Sequence, residues 1–140
     1  NAAGKVIVRD RIADAMFQEA LLHPETYSVL ATPNLNGDYL SDALAAQVGG
    51  LGLAPGVNRS DTLAFFEATH GTAPNLAGSL ILCGALMMEH MGWHEAANRL
   101  NNAMNTILAA GSLTEDLAAQ TAGARTVGCT EFGELVQQAL

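Results

Sequence analysis

Residues 79–91 are apolar on nearly every side: Leu80, Ile81, Leu82, Cys83, Leu86, Met87, Met88 and Met91 leave no polar face. A helix of that kind has nothing to turn toward water, so it predicts enclosure by a core or by a subunit interface. Gly92 ends it. An amphipathic helix is then expected over 95–110, with Ala96, Ala97, Leu100, Ala103, Met104, Ile107 and Leu108 on one stripe and Gly111 as its stop. Enclosing such a pair takes a real core, and a chain of 140 residues that is 49% hydrophobic can supply one. A chain of this length should bury roughly 68–70% of its unfolded surface. It is too short for two ordinary domains with a deep cleft between them.

The rest of the chain alternates between two periods. Residues 5–8 and 28–31 read as short strands, the second barely alternating and so buried. Between them Asp10 stands as an N-cap for a helix over 11–22 that Pro24 cannot continue. Pro33 to Gly37 is turn chemistry, and a helix rich in Leu and Ala should follow over 38–48. Residues 49–58, with four glycines and a proline, read as a loop or strand edge. Gly50-x-Gly52-x-x-x-Gly56 has the wrong spacing for a dinucleotide fingerprint and carries Pro55 where a helix should begin. Residues 63–67 form a third strand and 68–74 a loop at its end. Thr114 should cap a short helix to about residue 122, and Thr130 another to the end. Strands interspersed with helices make the fold class α/β.

Charge removes several functions. Six basic against fourteen acidic residues give a net charge of −8, without the basic footprint that nucleic acid or an anionic membrane needs. No run of about 20 apolar residues occurs, and the start, Asn1-Ala2-Ala3-Gly4-Lys5, has no signal-peptide pattern. Two cysteines, Cys83 and Cys129, do not make a disulfide scaffold, which favours a reducing, cytoplasmic setting. The absent initiator methionine suggests a processed chain or a fragment.

The sharpest chemical feature is Asp38-Tyr39-Leu40-Ser41-Asp42. Four residues apart on a helix, two carboxylates project from one face with Cβ atoms about 5–6 Å apart. Like charges there disfavour the helix unless something positive lies between them, and a hard divalent cation such as Mg²⁺ or Mn²⁺ would serve. The plainer alternative has Asp38 capping the helix and Asp42 solvated. Asp14, after Ile12-Ala13, reads by itself as a solvated side chain. His70 precedes Gly71 at a strand end, where backbone can approach a ligand closely, although a loop histidine is more often structural than catalytic. His90 and His94 have helical metal spacing, but Gly92 breaks the helix between them. Cys83 reads as a small core residue, and Cys129 lies at a helix start where a thiol can be acidified, without a base beside it.

Longer motifs carry a resemblance. Asn34-Leu35-Asn36-Gly37-Asp38-Tyr39-Leu40-Ser41-Asp42-Ala43-Leu44-Ala45-Ala46-Gln47-Val48-Gly49-Gly50 resembles the metal-binding signature of isocitrate dehydrogenases in the β-decarboxylating isocitrate/isopropylmalate dehydrogenase family. Phe66-Glu67-Ala68-Thr69-His70-Gly71-Thr72-Ala73-Pro74 is similar to that family's adenine-nucleotide loop, and Met87-Met88-Glu89-His90-Met91-Gly92-Trp93 is also shared. Asn36 and Ala43 favour the isocitrate branch over the isopropylmalate branch. The resemblance implies that Asp38 and Asp42 are metal ligands, joined by Asp14 of a second copy across a homodimer interface. The metal, Mg²⁺ or Mn²⁺, would make the isocitrate hydroxyl easier to deprotonate as hydride leaves, then hold the enolate charge when CO₂ departs. Glu67, His70, Gly71, Thr72, Ala73, Pro74, Asn75, Leu76 and Asp116 would embrace the adenosine half of the cofactor.

The resemblance also implies what differs. NADP-using members place cationic or phenolic side chains at positions occupied here by Asn75, Leu76, Glu115 and Ala119. A 2′-phosphate calls for Arg or Lys, and Glu115 would repel it, so NAD is the expected cofactor. Several residues usual in the family between Gly78 and Ser79 are missing. The chain corresponds to the C-terminal third or so of a member: residues 1–48 to the end of the small domain, residues 49–140 to the C-terminal part of the large one. The substrate-carboxylate loop and the catalytic Tyr and Lys belong to the missing part, so no catalytic residue is expected within this chain. The alternative is a free-standing, non-catalytic module that dimerises through the 79–91 helix.

Overall fold

The structure is a computed structural model and describes residues 4–71 and 75–140. The chain divides into two compact units, one ending at Leu44 and one running from Ala45 to Leu140. In the first, α1 (Ala13–Leu22) is followed by a 3₁₀ turn (Pro24–Thr26), and α2 begins at Asn34 and extends to Gln47. Met16 and Ala20 of α1 pack on Leu40 of α2, with Phe17, Tyr27, Leu30 and Leu44 around them. Here the structure corrects the sequence reading. Residues 5–8 and 28–31 are not strands, because none of these residues finds a neighbouring strand among the described residues. Side-chain pattern alone cannot hold a strand whose backbone has no ladder to join. The expected turn at 33–37 is the first turn of α2: the Gly37 N–H donates to the Pro33 carbonyl at 2.9 Å. A proline with φ preset for helix and nothing to lose at a helix start opens the segment earlier than Asp38.

The second unit opens with a 3₁₀ turn (Leu51–Leu53) and an antiparallel hairpin, β1 (Pro55–Arg59) with β2 (Ala64–Ala68), in the register Gly56↔Glu67 and Asn58↔Phe65. Ser60 closes the hairpin, accepting at its hydroxyl from the N–H groups of Thr62 and Leu63. Helices α3 (Gly78–His90) and α4 (His94–Ala110) follow, then β3 (Ser112–Leu113), α5 (Glu115–Ala118), β4 (Arg125–Thr126) and α6 (Cys129–Ala139). The expected cap and stop of this region are partly as read. Gly111 ends α4 at φ +73°, a left-handed conformation that suits glycine. Thr114 precedes α5 without a side-chain capping bond, and α5 ends sooner than expected.

The core of this unit is made by Ala103, Met104 and Ile107 of α4, Phe132 and Val136 of α6, and Val127. Their i, i+3 and i, i+4 spacing is what lets two helices share one seam. β3 and β4 pair in parallel for two residues each, a bridge too short to announce itself by periodicity. Helix α3 packs against α4, the hairpin and the 51–53 turn, burying Gly78, Ser79, Cys83 and Ala85. Its all-round apolar surface is not all enclosed: Leu80 is 64% exposed, and Met87 and Met91 are exposed too. No described helix is long and apolar enough to cross a membrane.

Candidate metal and cofactor sites

Asp38 and Asp42 both lie within α2, one turn apart and exposed, as the spacing required. Asp38 is in the second turn and does not cap the helix; its Oδ2 stands 3.5 Å from the Asn34 amide. The Ser41 hydroxyl donates to the Asp38 carbonyl at 3.1 Å. Asp14, at the start of α1, accepts from the Ala15 N–H at 2.6 Å. Among the described residues, no group of three or more His, Cys, Asp or Glu side chains is arranged to hold a metal. Within one copy, therefore, Asp14 does not complete a site with the α2 pair. The chemistry of the donors, carboxylate oxygens on a fixed helical face, fits a hard cation such as Mg²⁺ or Mn²⁺. His90 and His94 are engaged elsewhere: the His90 ring packs on Phe66 with centroids 5.6 Å apart, and His94 Nδ1 lies 2.7 Å from Glu89 Oε1.

The residues expected around the adenosine half come from β2, the loop after it and α5. Thr72, Ala73 and Pro74 lie outside the described residues. Glu67 faces outward on β2, and its Oε1 accepts from the Asn58 amide at 2.8 Å across the hairpin. The carbonyl of the same residue accepts from the buried Cys83 thiol at 3.0 Å, which ties the strand end to α3. His70 bonds to Ser79 and to the Gly71 carbonyl. Asn75 donates from its amide to Glu115 at 3.1 Å, so the far arm of the loop is fastened to α5.

Asp116 is the unusual group. Both carboxylate oxygens are buried and neither has a hydrogen-bond partner. The 51–53 turn lies directly on it: a Cβ at Gly52 would run into Asp116 Oδ2 and come within 3.3 Å of Leu76 Cδ2. Glycine is needed there because backbone and carboxylate are in contact. A buried carboxylate without a donor is costly, and a ligand rich in N–H and O–H groups relieves that cost. Both oxygens are closed off from solvent in this structure, so a ligand donor reaches them only where Leu76 or the 51–53 turn moves aside. A 2′-phosphate finds no cation at Asn75, Leu76, Glu115 or Ala119, and the Asn75 amide is already given to Glu115.

Sequence reasoning missed two contributors. Ser79 was absorbed into an apolar helix, and Gly52 into a glycine-rich stretch. The signal for Gly52 was its place in a segment dense in glycine; nothing in the sequence marked Ser79 as the partner of His70.

Comparison with known proteins gives the family. The family model for isocitrate/isopropylmalate dehydrogenase matches residues 1–136. A relative from Pseudomonas aeruginosa (strain UCBPP-PA14), named isocitrate dehydrogenase (NADP), is 54% identical over 136 residues, covering 92% of this chain and 32% of its own length. The Helicobacter pylori (strain ATCC 700392 / 26695) protein of the same name is 50% identical over 139 residues, covering 94% of this chain and 33% of its own length. The crystal structure of isocitrate dehydrogenase from Methylococcus capsulatus superposes with a TM-score of 0.83 at 37% identity, over 93% of this chain and 40% of that one. The α/β fold is the one these structures share. The chain spans about a third of the length of the curated relatives it matches.

These relatives correct the cofactor expectation. NAD was inferred from four side chains, whereas the Pseudomonas, Helicobacter, Coxiella and Colwellia proteins are all named as NADP enzymes. The physical reason the inference failed is its reach. Four positions show which donors are missing locally, but a phosphate can be met by backbone N–H groups or by cations from the remaining two thirds of such an enzyme.

Proposed function

Because the chain belongs to the isocitrate/isopropylmalate dehydrogenase family, we propose that it is the metal- and cofactor-binding part of a longer isocitrate dehydrogenase. That enzyme would convert isocitrate to 2-oxoglutarate and CO₂ with NADP and Mg²⁺ or Mn²⁺. The observation that carries the reading is the Asp38–Asp42 pair: two exposed carboxylates one turn apart on a helix, within a sequence 54% identical to a named isocitrate dehydrogenase. On this reading residues 1–48 belong to the small domain and residues 49–140 to the large one. A second copy of the enzyme supplies Asp14 to each metal site.

When bound, the metal would lower the cost of negative charge on the substrate oxygen through both steps, and the nicotinamide would accept the hydride. The residues of this chain do the holding. Asp38 and Asp42 present their oxygens from a helical face, so the ion's place is set before substrate arrives. Asp116 would stand behind Leu76 and the 51–53 turn beside the adenosine half, and a donor would reach it only when those groups move. The 2′-phosphate must be met by donors other than Asn75, Leu76, Glu115 and Ala119. No proton-transfer role falls to this chain, whose one lysine is Lys5.

The test is turnover by the full-length enzyme, followed through the absorbance of the reduced nicotinamide. Isocitrate-dependent reduction of NADP that stops on chelation and returns with Mn²⁺ is expected. Turnover of isopropylmalate in place of isocitrate, or full activity in chelator, would sink the assignment.

A further inference from the structure

Ser79 is fully buried, yet its hydroxyl stands 2.7 Å from Nε2 of His70, nine positions back along the chain on the loop after β2. The other ring nitrogen, Nδ1, lies 3.1 Å from the carbonyl oxygen of Gly71. A carbonyl can only accept, so Nδ1 carries the hydrogen. In the neutral ring Nε2 is then bare, and it accepts from the Ser79 O–H. Both nitrogens of the imidazole are spent inside the chain.

The anchor at the other end is firm. Ser79 is the second residue of α3, and Gly78 before it packs on the 51–53 turn so closely that a Cβ would lie 2.7 Å from the Gly52 carbonyl. Four residues further along α3, Cys83 holds the end of β2 through the Glu67 carbonyl. The first turn of α3 is therefore fixed to the body of the unit, and the serine hydroxyl is a fixed point against which a loop side chain can be set.

We propose that Ser79 is a positioning residue of the nucleotide loop: the Gly71 carbonyl sets the tautomer of His70, and the Ser79 hydroxyl fixes the ring's orientation, so that His70 meets the cofactor with its ring and not with a free nitrogen. This rests on the reading of residues 70–76 as the cofactor loop. It assigns to a buried helix residue, outside the set expected to touch the nucleotide, control over how the loop receives it.

The experiment uses the full-length enzyme, NADP as the probe, and the variants His70→Ala and Ser79→Ala. Alanine is the best helix former and smaller than serine, so α3 keeps its first turn. Ser79→Ala should raise the KM for NADP about five- to tenfold, in keeping with one lost neutral hydrogen bond, with kcat and the KM for isocitrate nearly unchanged. Ring ¹⁵N spectra, assigned by the signal lost in His70→Ala, should show neutral His70 protonated at Nδ1, with the Nε2 signal shifted in Ser79→Ala by the loss of its hydrogen bond. A purely structural serine would lower stability and shift that signal without raising the KM for NADP. If His70→Ala raises the KM for NADP while Ser79→Ala leaves that KM unchanged, the proposal is wrong and the loop reading survives. If His70→Ala leaves the KM for NADP unchanged, the loop reading itself is overturned.

Discussion

The unit from Ala45 onward closes on a core that draws on α4 and α6, with Phe132 and Met104 essentially inaccessible. The unit ending at Leu44 gathers three buried apolar side chains, Met16, Ala20 and Leu40, and leaves Val6, Val8, Val29 and Ile12 more than three-quarters exposed. The expected site residues divide the same way: those read as the cofactor loop sit in the well-packed unit, the three aspartates in the sparsely packed one. The difference teaches where preorganisation comes from. A loop fastened to a dense core can be set to within the tolerance a ligand requires, whereas carboxylates on a helix with little beneath it depend on what else covers that helix.

The strongest way to break this comparison is to empty each core in turn. Phe132→Ala should destabilise the protein by about 3–5 kcal/mol, the cost of removing a fully buried ring, read from the denaturant midpoint. Leu40→Ala in the smaller core should cost about 2 kcal/mol, the low end for such a truncation, because fewer neighbours lose contact. Equal losses would mean that the two units are equally well packed, against what their buried side chains indicate.

Two smaller effects sharpen it at the sites. In the full-length enzyme Asp42→Asn should raise the Mn²⁺ concentration for half-maximal activity at least about tenfold, since even outer-shell changes at metal sites cost that much. An unchanged metal titration would detach the α2 pair from the metal. Glu115→Gln, which keeps an acceptor for the Asn75 amide, should increase kcat/KM for NADP by about two- to threefold, by removing a repelling carboxylate beside the loop. The gain should shrink in high salt, because Glu115 is exposed and screening acts on it fully. No gain at low salt would place the 2′-phosphate elsewhere.

Much of this architecture was legible from residue order. The helical stripe over 95–110 and the stop at Gly111 follow from a 3.6-residue period and a left-handed glycine, both of which are local. A helix also stands where Thr130 signals one, although it begins at Cys129 and Thr130 lies inside it without capping it. The α/β class and the one-turn spacing of Asp38 and Asp42 were local too. What failed was non-local. Residues 5–8 and 28–31 have strand composition, but a strand exists by virtue of its neighbour. Pro33 and Gly37 are the local exception: turn propensity is a weak prior, and the Gly37–Pro33 hydrogen bond overrides it. The contact of Gly52 with the buried carboxylate of Asp116 joins positions far apart in sequence, and the Ser79–His70 bond spans nine residues across a loop, so no spacing rule finds either. The cofactor preference failed for a related reason, since side chains at four positions say nothing of donors that lie beyond them.

Gly78 rests on the carbonyl of Gly52, and Gly52 in turn rests on the carboxylate of Asp116. With two glycines stacked in this way, no rotamer is present to absorb a displacement. A side chain at Gly52 would collide with that carboxylate and one at Gly78 with the 51–53 turn, so the seat of α3 on the turn exists only because both positions lack a Cβ.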